Sequence, residues 1–247
     1  LQSDITSPFP PLDLMVHIGE ISAASFNDTI PAKEVWRVSE DGELRDPFKK
    51  LTTVFQMSEE MFFLHYGKDG CNRHVLIDEC RELFGEIYEQ IPELPFCNIW
   101  TAMQLSSRLP KGALFHMGVS NTRRCWNMFQ LPESVESACN VGCCGIDGCV
   151  STLVGASLVN PDRLCYVVVG DLTFFYDLNS LGNHHIGTNL RVMLVNNGRG
   201  TEFRLGIHHC NVFGDDADKY MAAAGHFGNK SPLLVKHYAE DLGFHYL

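Results

Sequence analysis

Cys165-Tyr-Val-Val-Val-Gly170-Asp171-Leu-Thr-Phe-Phe-Tyr-Asp-Leu-Asn179 and, soon after it, Leu190-Arg-Val-Met-Leu-Val-Asn196-Asn197-Gly198-Arg199-Gly200 are the stretches that decide the fold. Each begins as a short apolar run of the kind that forms a strand buried on both faces, and each ends in a polar, turn-prone cluster. Asp171 and Asn197 lie 26 residues apart, about one strand-to-strand crossover. Parallel strands joined in that way bring both clusters to the carboxyl edge of an α/β sheet, where ligands bind. A carboxylate and a carboxamide placed there suit a metal-diphosphate site. The same Gly-Asp and Asn-Asn pairs also serve as an ordinary turn and cap, and spacing alone leaves both readings open.

Around this centre the composition is that of a soluble globular protein: 247 residues, 45% hydrophobic and 20% charged. A formal charge of -11, with no run of Lys or Arg, argues against a nucleic-acid surface and for a small-molecule ligand. No window is long and apolar enough for a membrane span, and the Leu1-Gln-Ser-Asp start lacks a signal pattern, so a cytoplasmic location is expected. Ten cysteines in a chain of this length read as reduced, mostly buried thiols. The densest group, Cys139, Cys143, Cys144 and Cys149, contains no C-x-x-C pair, which disfavours a structural zinc site.

In chain order, residues 1–10 read as a lead-in loop, Leu12–Ile18 as a buried strand, Ile21–Asn27 as a weak helix and Glu34–Ser39 as a second strand. Phe48 to Tyr66 carries apolar residues at loosely helical spacings, and Arg73–Gln90 reads as a helix. Ile91-Pro-Glu-Leu-Pro95 is the best linker, placing a domain boundary between residues 1–93 and 94–247. Beyond it come a helix over Asn98–Arg108, a strand over Leu114–Gly118, a loop-rich stretch over 119–141 and a small-residue helix opened by Gly142–Gly148. Tyr166–Val169 and Val192–Val195 follow as the central strands, then helices near Asp218–Ala224 and Ala239–His245. The fold class expected is α/β with a parallel sheet.

Magnesium takes six oxygen ligands and shares them with ligand phosphates. Asp171 offers a carboxylate, Asn197 an amide oxygen and Arg199 a backbone carbonyl, while Thr173 and the N–H groups of 171–173 can donate to phosphate near a helix start. His184-His185 and His208-His209-Cys210 read as polar loop residues, because acid/base work needs a positioned partner.

The Gly170-Asp171 pair followed by Asn197 resembles the cofactor motif of the thiamine-diphosphate-dependent enzymes. More narrowly, three blocks resemble the menaquinone-pathway SEPHCHC synthases: Gly145-Ile146-Asp147-Gly148-Cys-Val-Ser-Thr, then Gly170-Asp171-Leu-Thr-Phe-Phe-Tyr-Asp-Leu-Asn-Ser-Leu, then Asn196-Asn197-Gly-Arg-Gly-Thr-Glu-Phe203. Val35-Trp-Arg-Val with Glu43-Leu-Arg-Asp-Pro-Phe is similar to the end of that family's central domain. The resemblance implies a partial central, transhydrogenase-like domain over 1–93 and a diphosphate-binding domain over 94–247, shortened at its C-terminus. It implies thiamine diphosphate and Mg2+ as cofactors, with Asp171, Asn197 and the Arg199 carbonyl on the metal. Gly145, Ile146, Asp147, Gly170, Leu172 and Thr173 would lie along the cofactor, Ile146 propping its bent shape. Ser120, Arg124 and Phe203 would face substrate, Arg124 through a bidentate carboxylate pair.

The same resemblance implies a 2-oxo acid donor, 2-oxoglutarate, and isochorismate as acceptor, in a homodimer or homotetramer. The activating glutamate is expected in a pyrimidine-binding domain absent from this chain, so no catalytic residue is assigned here and the chain alone is expected to be silent. Departures fall on the substrate side: the family's Asn-Arg-Gly reads Asn140-Val141-Gly142, an Asn is Val119, and an apolar position is Glu202. They keep open a relative acting on another 2-oxo acid, and, from other classes, a non-catalytic binding module or a zinc protein.

Overall fold

The computed structural model describes residues 12–19, 31–67, 75–142, 145–206, 208–221 and 225–247. It is α/β, built on two sheets whose strands all run parallel. By its contacts the chain divides into two compact units, Leu1–Pro92 and Glu93–Leu247.

The first unit carries β1 (Leu12–Ile18), β2 (Ala32–Ser39) and β3 (Leu51–Gln56) in that order across one sheet. Ala32, Val35 and Phe48 are buried together, with Leu12 and Met15 packed against them. The helix α1 (Glu59–Tyr66) starts at Ser58, whose hydroxyl accepts from the Met61 N–H, and α2 (Val75–Glu89) follows. Residues 48–66 are thus a strand and a helix rather than one helical stretch. Leu51-Thr-Thr-Val-Phe-Gln is rich in β-branched and aromatic residues, and its spacing only mimicked a helix because residues of two elements were read as one face. The weak helix expected over Ile21–Asn27 lies outside the described residues.

The second unit contains α3 (Asn98–Leu105), β4 (Leu114–Met117), α4 (Asn121–Trp126), β5 (Glu136–Cys139), α5 (Cys149–Val159), β6 (Cys165–Gly170), α6 (Asp171–Asp177) and β7 (Leu190–Val195). It ends with α7 (Ala217–Tyr220) and α8 (Leu234–Asp241). The sheet order is β5-β4-β6-β7, so the two innermost strands are β4 and β6, and β7 is an edge among the described strands. The expectation of β7 as a central strand is corrected by this order, and its residues after Leu190 are correspondingly exposed or half-buried.

The stretch 119–141 is not all loop. Asn121–Trp126 is helical because Trp126 is buried against the ring of Phe115, 4.6 Å away, while Glu136–Cys139 pairs with β4 as a largely exposed edge. The two last helices are Ala217–Tyr220 and Leu234–Asp241, not 218–224 and 239–245; residues 222–224 lie outside the described set. Cys149, Val150, Leu153, Val154, Cys165, Val167, Val169, Phe174, Leu181 and Leu190 make the core between sheet and helices.

From β4 the chain steps to β5 on one side, then crosses to β6 on the other and on to β7. The direction reverses between β4 and β6, and the crevice at the carboxyl ends of such a pair is where open α/β sheets take ligands. Gly118 closes that point tightly: its N–H donates to the Val168 carbonyl at 2.8 Å, and a Cβ there would lie 3.3 Å from the same oxygen. Among the described residues, no helix is long and apolar enough to cross a membrane.

Candidate functional site

The carboxyl edge of this sheet gathers most of the residues singled out from sequence. Register pairing of Gly170 with Val195 sets the ends of β6 and β7 side by side, so Asp171 at the start of α6 meets the Asn197-Gly198 turn. Asp171 is only 1% exposed. Its Oδ1 accepts from the Leu172 N–H at 2.8 Å, and its Oδ2 accepts from the Gly198 N–H and lies 3.3 Å from Nε2 of His226. Gly198 holds φ of +81°, a left-handed conformation that aims its N–H inward and that glycine adopts without strain. Asn197 is exposed and its Oδ1 accepts from the Arg199 N–H at 3.2 Å. The carboxylate and the Asn197 turn are therefore brought together.

His226 carries no signal in the sequence. Its Nδ1 accepts from the Gly228 N–H at 2.9 Å, and its Nε2 faces Asp171 without forming a hydrogen bond. The same short segment is pressed onto the site at two further points: a Cβ on Gly198 would fall 2.1 Å from Nδ2 of Asn229, and one on Gly228 would fall 2.1 Å from the Phe175 ring.

On the β4–β5 side, Gly148 caps α5 with φ of +76°, and the first turn of that helix is completed by Asp177, whose Oδ2 accepts from the Ser151 N–H at 2.7 Å. Asn140 donates to the Gly148 carbonyl and to the Thr152 hydroxyl, both at 3.1 Å, and hydrogen-bonds to His116. His116 is buried in β4; that burial holds its imidazole pKa below the ordinary value, against the Asn140 bond, and its Nε2 has no hydrogen-bond partner. The clamp fixes the loop bearing Gly145, Ile146 and Asp147, of which Ile146 is half-buried and Asp147 exposed. Leu172 is half-buried and Thr173 buried, both in the first turn of α6.

Arg124, expected to face a substrate carboxylate, already holds one. Its guanidinium forms a bidentate pair with Glu202, through Nη1 to Oε2 and through Nη2 to Oε1 at 3.0 Å, and Nη1 also donates to Asn121 Oδ1 at 3.2 Å. Ser120 hydrogen-bonds to the same carboxylate. Burial raises the Glu202 pKa, but the Arg124 bond and charge, with Ser120 and His208, outweigh it and hold the carboxyl below its usual range. Asn121 Nδ2 donates to the Thr201 hydroxyl, a second tie between the same two segments. Phe203 packs edge-on against His208 with ring centroids 5.1 Å apart.

Among the described residues no three His, Cys, Asp or Glu side chains are placed to hold a metal ion. Cys139 and Cys149 are free thiols, the latter buried in the core with a raised pKa, and Cys143 and Cys144 lie outside the described residues.

No family model matches the chain. Curated relatives do: 2-succinyl-5-enolpyruvyl-6-hydroxy-3-cyclohexene-1-carboxylate (SEPHCHC) synthases from Bacteroides fragilis (38% identical over 179 residues, 70% of this chain), Bacteroides thetaiotaomicron (34% over 218 residues, 87%) and Phocaeicola vulgatus (33% over 178 residues, 70%). This chain resembles part of a SEPHCHC synthase. It spans 31% to 37% of the length of these three synthases.

Proposed function

We propose that this chain is the cofactor-holding portion of a thiamine-diphosphate-dependent, 2-oxo acid decarboxylating synthase of the SEPHCHC type, cytoplasmic, with 2-oxoglutarate as donor and isochorismate as acceptor. One observation carries the reading: Asp171 is joined to the Asn197-Gly198 turn at the carboxyl ends of neighbouring parallel strands, in a chain similar over most of its length to synthases of that name. Residues 1–93 are then part of a central domain with its linker, and residues 94–247 the diphosphate-binding domain. A pyrimidine-binding domain supplies the activating glutamate, and the enzyme assembles as a homodimer or homotetramer.

The donor set fits a magnesium ion. Asp171, the Asn197 side-chain oxygen and the Arg199 carbonyl are hard oxygen ligands, and a set with a single carboxylate leaves the remaining positions to phosphate and water. Asp171 is also pre-aimed, its geometry fixed by two backbone N–H groups. When bound, thiamine diphosphate supplies a thiazolium carbon that acts as the nucleophile toward a 2-oxo group. The chain's own work is holding and orienting. Leu172 and Thr173 with Gly170 flank the diphosphate, and Gly145, Ile146 and Asp147, held by the Asn140 clamp, support the cofactor body. Ser120, Arg124 and Phe203 line the substrate side.

Calorimetric titration of the protein with thiamine diphosphate, in magnesium and in EDTA, tests the proposal. Magnesium-dependent binding lost in both Asp171→Asn and Asn197→Ala is expected; a folded protein that binds no cofactor, or variants that bind as well as wild type, refutes it. A second reading, a synthase acting on a different 2-oxo acid, is favoured by the occupancy of Arg124 by Glu202, and a panel of 2-oxo acids assayed with the complete enzyme separates the two.

A further inference from the structure

We infer that Glu202 is a built-in carboxylate that fills the Arg124 subsite, so that a ligand carboxylate can bind there only in exchange for it. The inference rests on the reading of this sheet edge as substrate-facing, but its chemistry stands on the local geometry. Arg124 lies in α4, directly after β4, and Glu202 in the single-turn segment Thr201–Arg204 that follows β7. In the sheet order these strands flank β6, so the two segments meet over the end that carries Asp171.

What Glu202 occupies is a carboxylate receptor in every chemical respect. A planar guanidinium fork grips both oxygens, and the Ser120 hydroxyl adds a third contact. Ser120 holds φ of +62°, a region that non-glycine residues occupy only when surrounding contacts enforce it, and such strain gathers at ligand-handling positions. The pair is not sealed: the Arg124 and Glu202 side chains are 28% and 30% exposed. Because Glu202 neutralises Arg124, an incoming anion gains only the difference between its own contacts and those it displaces. Glu202 is thereby the residue that sets how much negative charge this subsite accepts.

The test is direct binding of glutarate, a five-carbon dicarboxylate, to the protein that carries this chain, with neutral glutaramide as the charge control. It needs no thiamine diphosphate, so it is decided separately from the cofactor titration. Glu202→Gln should bind glutarate about tenfold more tightly than wild type, the scale of one charge-assisted contact released for the ligand, with glutaramide affinity unchanged and the gain lost in the Arg124→Ala, Glu202→Gln double variant. No gain in a folded Glu202→Gln protein makes Glu202 a structural clasp and overturns the inference, as does a gain that survives loss of Arg124. Should the variants not fold, wild type decides: saturating glutarate must shift the Arg124 side-chain Nε resonance and the Glu202 carboxyl carbon together, and resonances that stay put overturn it.

Discussion

Replacing Asp171 by Asn changes one oxygen to an amide and tests the centre of the site without altering its shape. The buried carboxylate accepts from Leu172 N–H through Oδ1 and from Gly198 N–H through Oδ2, with Nε2 of His226 3.3 Å from Oδ2. An asparagine can present its oxygen to one side only. Keeping the oxygen toward Gly198 leaves the Leu172 N–H facing an NH2 group, and the reverse orientation leaves the Gly198 N–H facing one. One buried donor without an acceptor costs about 1–3 kcal/mol. For a chain of this size each kcal/mol lowers Tm by about 2–4 °C, so Asp171→Asn should melt about 2–12 °C below wild type in a calorimetric or circular-dichroism scan. The proposed metal role adds a second, independent loss: magnesium-dependent thiamine diphosphate affinity should fall by more than the ~10–100-fold typical of residues that only support a ligand. Unchanged melting would refute the hydrogen-bond argument. Lower melting with unchanged magnesium dependence would refute the metal assignment while leaving the structural one.

Three further outcomes follow from the geometry. Gly198→Ala must hold φ near +81° and place a Cβ 2.1 Å from Asn229; a left-handed alanine costs about 1–2 kcal/mol before the clash is relieved, so urea denaturation should show at least that loss and NMR should show the His226 resonances displaced. The Glu202 carboxyl is held below its ordinary range when folded, so its contribution to stability is complete above the unfolded glutamate value of about 4.3 and is lost as pH falls through the lower folded value; the stability difference between wild type and Glu202→Gln, measured by urea midpoint from about pH 6 downward, should shrink as the pH falls below about 4.3. His116 is likewise lowered, by burial, and for a base this means that the unfolded chain binds the proton first: its contribution is present above about pH 6.5 and lost as pH falls through the folded value. Replacing His116 by Leu should therefore flatten the fall in stability between about pH 7 and about pH 5, and an unchanged slope would show that the buried ring is not what titrates.

What was legible in the sequence is what local chemistry dictates. β6 and the Gly170-Asp171 turn were readable because a strand buried on both faces is an unbroken apolar run, and the Asn196-Asn197-Gly198 cluster because a tight left-handed turn needs such residues. β5 was not, since Glu136-Ser-Ala-Cys139 is a mostly exposed edge with no alternation to detect. Nor was β3, whose apolar residues happened to continue a helical spacing into α1. Partnerships that cross the chain leave no local trace. Asp177 capping Ser151 and His226 reaching Asp171 join residues that no motif links, and Glu202 was visible only as an odd residue at an apolar position, not as the partner of Arg124 78 residues earlier.

That last contrast bears on how the site can work. Two charged groups at the carboxyl edge, the Asp171 carboxylate and the Arg124 guanidinium, are satisfied from within. They are satisfied differently. Asp171 is held by two backbone N–H groups, which fix its direction without neutralising it, and the His226 ring stands beside it with Nε2 3.3 Å from Oδ2. A cation arriving there meets a carboxylate already in place and need only replace an imidazole. Arg124 is neutralised outright by a full carboxylate gripped at both oxygens, so an anion arriving there must break a pair as strong as the one it makes. Under the proposed function this asymmetry would make the Asp171 side of the edge a preorganised binder and the Arg124 side an exchange site, so that selectivity between acids should follow Glu202 while cofactor affinity should not.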